Sequence, residues 1–110
     1  MPRAATTSDV FNAVGDASRR YLLDALATGE ATVGELVERL ELPQPIVSKH
    51  LRVLRDVGLV RCRAHGRHRT YGVDADGLAP LHEWLQRLTV TINDQYDRLD
   101  TYLDELQHPR

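Results

Sequence analysis

The sequence predicts a mainly α-helical chain with one small β-hairpin and a long final helix. Apolar residues recur at helical spacing over most of the chain, a strand-turn-strand pattern interrupts them at 59–73, and a leucine-rich seam then runs to Leu106. The length of 110 residues suits about one domain. We therefore expect a disordered N-terminus at 1–7, a compact core at 8–76, a dimerisation helix at 77–106 and a tail at 107–110.

Two short helices are predicted at the start of the core. Ser8 and Asp16 are suitable N-caps, because their side-chain oxygens accept hydrogen bonds from the free N–H groups of a first helical turn. Gly29 is a stop signal for the second helix. The apolar residues that follow the two caps are Val10, Phe11, Val14, Tyr21, Leu22 and Leu26.

A third and a fourth helix follow, separated by a tight turn. Thr32 with Glu35 three residues later is a capping-box pattern for a helix of about two turns. The fourth helix is predicted at 44–57, where Pro45 is tolerated because first-turn N–H groups lack intrahelical partners. Its inward-facing residues are predicted to be Ile46, Val47, Leu51, Leu54 and Val57. This order is the helix-turn-helix pattern.

A hairpin follows the fourth helix and would form a wing beside it. Residues 59–64 and 70–73 are predicted as strands, and Gly66 in the connection can adopt positive φ. The connecting residues are His65, Gly66, Arg67, His68 and Arg69. Cys62 lies in a strand, where we expect a small packed side chain, with a redox role as the alternative. A single cysteine excludes an intrachain disulfide, which favours a reducing compartment and hence the cytoplasm.

The final helix carries an apolar seam close to a heptad pattern, which requires a partner helix. A second copy of the chain would cover it, so we expect a homodimer. The predicted interface residues are Leu81, Trp84, Leu85, Leu88, Ile92, Tyr96, Leu99, Leu103 and Leu106. No apolar run approaches the roughly 20 residues that a membrane span needs, so no membrane partner is expected.

Positive charge is concentrated in the middle of the chain. The whole chain has a net charge of −2, yet residues 43–73 contain seven Lys and Arg residues against Asp56 alone, a local charge of +6. The flanking segments 1–42 and 74–110 carry −3 and −5. This distribution is typical of a DNA-facing surface, although a solvated, charge-balanced surface would give the same count.

Double-stranded DNA is the partner that the outward-facing residues fit. Gln44 suits an adenine edge, Ser48 is a donor and an acceptor, and Lys49 or Arg52 can reach guanine or phosphate. The candidates on the fourth helix are Gln44, Pro45, Ser48, Lys49, His50, Arg52 and Arg55. The candidates on the wing, for the minor groove or phosphate, are Arg61, Arg63, His65, Arg67, His68 and Arg69.

Three of the basic residues have open alternatives. His50 either packs and orients the helix or donates a hydrogen bond to a phosphate. Arg19 and Arg20, early in the second helix, either contact phosphate or pair with an acidic neighbour.

The order and spacing of these segments resemble the ArsR family of winged-helix repressors over roughly residues 9–88. The segments are Asp16-Ala-Ser-Arg-Arg, Thr32 to Leu40, Gln44-Pro-Ile-Val-Ser-Lys-His-Leu-Arg-Val-Leu-Arg, Val57-Gly-Leu-Val and the basic hairpin. The resemblance implies a winged helix-turn-helix with long terminal dimerisation helices. It also implies a dimer that binds an imperfect inverted repeat in a promoter and usually represses it.

The ligands of the family's metal-sensing members do not carry over to this chain. Thr32 and Gly34 stand where such members have a Cys-x-Cys pair, and the final helix offers only His82 and Glu83, then His108. The His-x-x-His on the hairpin lies in a basic surface. We therefore expect no metal and no cofactor, and either an unidentified small-molecule effector or none.

The start of the fourth helix departs from the family's pattern. Family members commonly have Ser before the Gln-Pro pair, whereas Pro43 offers the fourth helix no side-chain cap.

The sequence shows no nucleophile with a base, no paired carboxylates in a cleft-forming context and no Gly-rich phosphate loop, so we do not expect an enzyme. A winged-helix module that binds an acidic protein remains the alternative to a DNA reader.

Overall fold

The computed structural model describes residues 7–108 and divides the chain into two compact units, one ending at Pro80 and one beginning at Leu81. Of the predicted disordered segment 1–7, residues 1–6 lie outside the described residues, as do residues 109 and 110 of the tail. The elements are α1 (Thr7–Val14), α2 (Ala17–Ala27), α3 (Val33–Leu40), α4 (Gln44–Asp56), β1 (Val60–His65), β2 (His68–Val73), a 3-10 turn (Ala75–Leu78) and α5 (Ala79–Gln107).

The predicted helix starts are confirmed at two of three positions. Asp16 Oδ1 accepts the Arg19 N–H at 3.2 Å before α2, and Thr32 and Glu35 form a complete capping box before α3. The prediction for Ser8 is wrong, because α1 already begins at Thr7 and Ser8 lies inside its first turn. Helix α3 ends at Leu40, and its C-cap Glu41 has a left-handed φ of 54°, which opens the turn into α4.

The core of the first unit joins the apolar faces of α1 to α4 and the base of the hairpin. Its fully buried leucines are Leu22, Leu36, Leu51, Leu54 and Leu59. The prediction that Ile46 faces inward is wrong, since its side chain is 40% exposed. Val47, Leu51 and Leu54 form the buried stripe of α4, and Ile46 precedes Val47 by one residue, about 100° around the helix.

Tyr21 is the second apolar residue that the core leaves out. Leu22 and Leu26, one helical turn apart, form the buried face of α2, whereas Tyr21 is 62% exposed. Its position next to Leu22 points it away from that face.

The hairpin is longer and tighter than predicted. Strands β1 and β2 pair antiparallel from Val60↔Val73 to His65↔His68, which leaves only Gly66 and Arg67 in the turn. Gly66 has a φ of 60°, as the first central residue of a two-residue type II′ turn requires. The prediction that His65, His68 and Arg69 belong to the loop is therefore wrong, because these residues lie in the strands.

Helix α5 has 29 residues, about 44 Å at 1.5 Å per residue. Leu81 is half-buried, and the other predicted interface residues are exposed in the single chain, with Leu88 at 41% and Leu106 at 58%. Arg98 and Asp94, off the seam, form an ion pair at 3.1 Å. Within the described part of the chain, no helix has the length and apolarity needed to cross a membrane.

Candidate nucleic-acid interface

Helix α4 begins without a side-chain cap, as the presence of Pro43 predicts. The Pro43 carbonyl oxygen accepts the N–H groups of Ile46 and Val47 at 3.0 and 3.1 Å, and Pro45 has no N–H to satisfy. The backbone thus compensates for the missing cap, and the first turn of α4 leaves its side chains free for other contacts.

The outer face of α4 is polar, basic and exposed. The exposed residues of α4 are Gln44, Pro45, Ile46, Ser48, Lys49, Arg52, Arg55 and Asp56. Among the described residues, none forms an ion pair with Lys49, Arg52 or Arg55. Their positive charge is therefore available to a ligand.

A groove of about 400 Å³ lies between α4 and β2. It is lined by Ser48, Leu51, Arg52, Arg55, Asp56, Arg69 and Tyr71. Three guanidinium groups against one carboxylate give this groove a net positive charge, and guanidinium geometry matches that of phosphate oxygens. Arg69, from the wing, thus lines the same groove as Ser48, Arg52 and Arg55 of α4.

The other face of the hairpin is organised differently. Because side chains alternate along a strand, Arg61, Arg63 and His65 share one face of β1 and are opposite the face of Tyr71 and Arg69. On that face Glu30 Oε1 lies 3.6 Å from Arg61 Nη2 and 3.8 Å from Arg63 Nη2. The predicted wing residues are therefore divided between two faces, with exposed Arg67 in the turn between them.

His50 occupies the inner edge of α4 rather than its outer face. It is half-buried, and its buried Nδ1 atom has no hydrogen-bond partner among the described residues. The pKa of the Asp16 carboxyl, at the start of α2, is lowered chiefly by the hydrogen bond from the Arg19 N–H.

The two arginines at the start of α2 bind backbone, which neither predicted alternative anticipated. Arg19 Nε donates to the Ala13 carbonyl at 2.8 Å, and Arg20 Nη1 donates to the Val14 carbonyl at 2.7 Å. These carbonyls lie at the C-terminal end of α1, where cations are stabilising. Arg19 and Arg20 thus connect α1 to α2.

Thr32 and Gly34, which the resemblance matches to the Cys-x-Cys pair of metal-sensing members, serve local structure. The Thr32 hydroxyl accepts the Glu35 N–H within the capping box, and Gly34 lies in the first turn of α3. In the part of the chain that the structure describes, no three His, Cys, Asp or Glu side chains group as metal ligands. Cys62 is half-buried on β1, across from Tyr71.

Sequence reasoning missed Glu30 and Tyr71. Tyr71 would follow from the alternation along β2 if the strand were extended back to His68, since Arg69 and Tyr71 then share a face. Glu30 carries no such signal, because its approach to β1 is a long-range contact.

A short helix, a tight turn, a basic helix and a basic hairpin together define a winged helix-turn-helix protein of the DNA-binding class. The sequence model described as "Bacterial regulatory protein, arsR family" matches residues 16–61. The HTH-type transcriptional regulator Rv2034 of Mycobacterium tuberculosis is 42% identical over 77 residues, which cover 70% of this chain and 72% of the relative. The chain belongs to the ArsR family of bacterial regulatory proteins.

Other relatives and solved structures agree with this assignment. A probable mercury resistance operon repressor of Streptomyces lividans is 40% identical, covering 69% of this chain and 61% of the relative. The crystal structure of an ArsR family transcriptional regulator superposes with a TM-score of 0.69 at 30% identity, covering 78% of this chain and 89% of the other.

A third similar structure is described as a homodimer. It is the winged helix-turn-helix DNA-binding domain of a possible ArsR-family regulator from Mycobacterium bovis, with a TM-score of 0.62 at 27% identity. The match covers 74% of this chain and 76% of that domain. The predicted fold class and family are thus confirmed, and the chain is a DNA-binding transcription regulator rather than an enzyme.

Proposed function

We propose that this chain is a homodimeric repressor that binds an inverted repeat in promoter DNA. The groove between α4 and β2 carries the proposal, because Arg52, Arg55 and Arg69 converge there beside the exposed first turns of α4. Residues 8–76 would form the DNA-binding core and residues 77–106 the dimerisation helix. A regulator of this kind acts on the chromosome, which is in the cytoplasm of a bacterium.

The outer face of α4 supplies base readout in this proposal. Gln44 pairs with an adenine edge, while Ser48, Lys49 and Arg52 contact guanine or phosphate. Exposed Ile46 adds an apolar surface of the kind that contacts a thymine methyl group. Arg55, Arg67 and Arg69 neutralise phosphates on either side, and His50 orients α4 from its inner edge.

The exposed apolar seam of α5 supports the proposal that the chain forms a homodimer. Its seam leaves large apolar side chains exposed in the single chain, including Trp84 at 43% and Leu99 at 50%. A contiguous apolar surface of this kind marks an interaction site. The similar domain from Mycobacterium bovis is described as homodimeric. In a dimer, two copies of α4 would lie about 34 Å apart, one turn of DNA.

We propose that this regulator works without the metal switch of some of its relatives. One relative is named for mercury resistance, yet here Thr32 caps α3 and Gly34 lies in its first turn, and neither residue offers a thiolate. Zinc or arsenite should therefore leave operator binding unchanged. Release of DNA by a stoichiometric, tightly bound ion would contradict this part of the proposal.

The direct test is selection of binding sites from random DNA, followed by footprinting of the gene's own upstream region. We expect protection of an inverted repeat and a preference over scrambled DNA at moderate salt. Arg52→Ala should weaken operator binding. The matched control is Arg87→Ala, at an exposed position of α5, and it should leave the affinity of the dimer for operator DNA unchanged. Equal binding of operator, scrambled DNA and heparin would instead favour an acidic protein as the partner.

A further inference from the structure

Glu30 is the acidic centre of a cluster on the face of the hairpin away from α4. Its carboxylate contacts two arginines, with Oε1 at 3.6 Å from Arg61 Nη2 and 3.8 Å from Arg63 Nη2. Its other oxygen, Oε2, accepts a hydrogen bond from Thr70 Oγ1 at 3.3 Å. Both carboxylate oxygens therefore have partners on the two strands of the wing.

The backbone is shaped to admit the Glu30 side chain. A Cβ atom at Gly72 would lie 3.1 Å from Glu30 Cγ, so glycine leaves the space in which the side chain lies. The neighbouring residue Ala31 exchanges two backbone hydrogen bonds with Tyr71, which fixes Glu30 beside the hairpin. Arg61 is also held by the neighbouring strand β2, since its Nη1 donates to the Val73 carbonyl at 3.0 Å.

These contacts place a carboxylate against two of the wing's cations. A guanidinium group that faces a carboxylate has part of its charge neutralised, and a phosphate must displace that carboxylate to gain the same contact. Each phosphate that a protein neutralises steepens the salt dependence of binding by about 0.9 in log–log units. The state of Arg61 and Arg63 therefore affects sequence-independent binding directly.

The two faces of the hairpin make this effect unequal for specific and non-specific complexes. When α4 lies in the major groove, Arg69 faces the DNA with α4, and Arg61 and Arg63 are on the opposite face of the strands. A non-specific complex has no fixed orientation, so any exposed free arginine can contact phosphate.

We propose that Glu30 is a specificity-determining residue, which keeps non-specific DNA affinity low by holding Arg61 and Arg63 away from the DNA backbone. The proposal rests on the proposed function, since it presumes that the chain discriminates between DNA sequences. It adds a residue outside the helix-turn-helix and the wing to the determinants of that discrimination.

The test compares Glu30→Gln with wild type, on operator and on scrambled duplex DNA, by anisotropy over a range of salt concentrations. We expect scrambled-DNA affinity to rise on the order of tenfold near 0.1 M salt, with a slope steeper by about 0.9 to 1.8. Operator affinity should change less than about twofold, so the specificity ratio falls. Glu38→Gln is the matched control, because Glu38 is exposed on α3 and forms no ion pair with any described residue.

The arginines themselves provide the decisive second comparison. In a background with Arg61→Ala and Arg63→Ala, Glu30→Gln should no longer raise scrambled-DNA affinity. A gain that persists in this background, an equal gain from Glu38→Gln, or an equal gain on operator DNA would overturn the proposal. Circular dichroism checks that each variant is folded. If the wild-type protein shows no sequence preference at all, the proposed function itself fails, which is a different result.

Discussion

Tyr71 and Ala31 exchange a pair of backbone hydrogen bonds. The Tyr71 N–H donates to the Ala31 carbonyl at 2.8 Å, and the Ala31 N–H donates to the Tyr71 carbonyl at 3.0 Å. Ala31 is fully buried and directly precedes Thr32, the N-cap of α3. The middle of β2 is therefore attached to the start of the helix-turn-helix, and the wing has a fixed position beside it.

Amide hydrogen exchange should reveal this attachment. We expect the Ala31 and Tyr71 amides to be strongly protected, since both are donors in the bridge and Ala31 is buried. The amides of Gly66 and Arg67, in the exposed turn at the far end of the same hairpin, provide the contrast. If NMR finds Tyr71 exchanging as fast as Arg67, the hairpin is not held at its middle.

Gly77 is required by a close approach of backbone. A Cβ atom there would overlap the Gly58 carbonyl oxygen and would lie 3.2 Å from Leu59 Cα. We expect Gly77→Ala to lower the free energy of unfolding by about 1–3 kcal/mol, because backbone must shift to admit the methyl group. The measurement is urea denaturation at a fixed protein concentration.

Gly34→Ala is the control for the change at Gly77. Only Thr32 Oγ1, at 3.8 Å, lies near a Cβ built on Gly34, which is in the first turn of α3. Alanine there should raise the free energy of unfolding by up to about 1 kcal/mol, because it reduces the backbone entropy of the unfolded chain that helix formation must overcome. Equal destabilisation at both positions would mean that the Gly58 contact does not matter.

Local patterns predicted most of the helices, because caps and periodicity act over a few residues. The Thr32–Glu35 capping box and the limits of α4 follow from such short-range chemistry. The exposure of Ile46 was not predictable in the same way, since Ile46 and Val47 are adjacent apolar residues and either could belong to the buried stripe of α4. Packing against the rest of the core selects the stripe that contains Val47 and Leu51.

The candidate site was predictable residue by residue but not in its arrangement. The outward-facing residues of α4 follow from helical periodicity, and the basic hairpin follows from its turn glycine. The division of the wing into an Arg69 face and an Arg61 face depends on where the strands begin and end. The strand predicted from the sequence at 70–73 is two residues shorter than β2, so it left Arg69 in the loop. The Glu30 contacts depend on a pairing 40 residues apart along the chain, for which no local pattern exists.

Glu41 has a backbone conformation that favours glycine. Its φ of 54° and ψ of 39° lie in the left-handed region, where a side chain costs roughly 1 kcal/mol or more. We expect Glu41→Gly to raise the free energy of unfolding by about 0.5–1 kcal/mol in urea denaturation, because glycine adopts this conformation without the steric cost. Glu38→Gly, within α3, should lower it by about 1 kcal/mol. Loss of stability in both variants would show that the Glu41 side chain contributes more than its strain costs.

The two parts of the DNA surface should respond differently to mutation. Changing Arg67 and Arg69 together to Ala should weaken binding to all sequences and reduce the salt slope by about 0.9 for each phosphate that is no longer neutralised. Gln44→Ala should mainly relax base preference, with a loss of about 1–3 kcal/mol that is confined to the preferred operator. Anisotropy on operator and scrambled duplexes separates the two effects. If Gln44→Ala weakened binding to operator and scrambled DNA equally, as the double arginine variant should, the division between wing and helix would be contradicted.

Asp16 makes the start of α2 sensitive to acid. Its pKa is held below the ordinary value of 3.8, chiefly by the hydrogen bond from the Arg19 N–H, which favours the charged carboxylate. A carboxyl whose pKa is lower in the folded state stabilises the fold at pH values above its unfolded pKa. This contribution should be complete above about pH 5 and should fade as the pH drops below 3.8 toward the lowered value.

Asp16→Asn tests the charge separately from the cap. Asparagine accepts the same backbone hydrogen bond but does not titrate, so the variant should keep α2 capped and lose this share of the acid sensitivity. We therefore expect the wild type to lose more stability than Asp16→Asn as the solution is acidified from about pH 5 to about pH 3, measured by thermal unfolding. Asp24→Asn, an exposed change of equal charge within α2, supplies the baseline. If the two variants show the same pH profile, the effect belongs to net charge, and the hydrogen bond to Arg19 does not cause it.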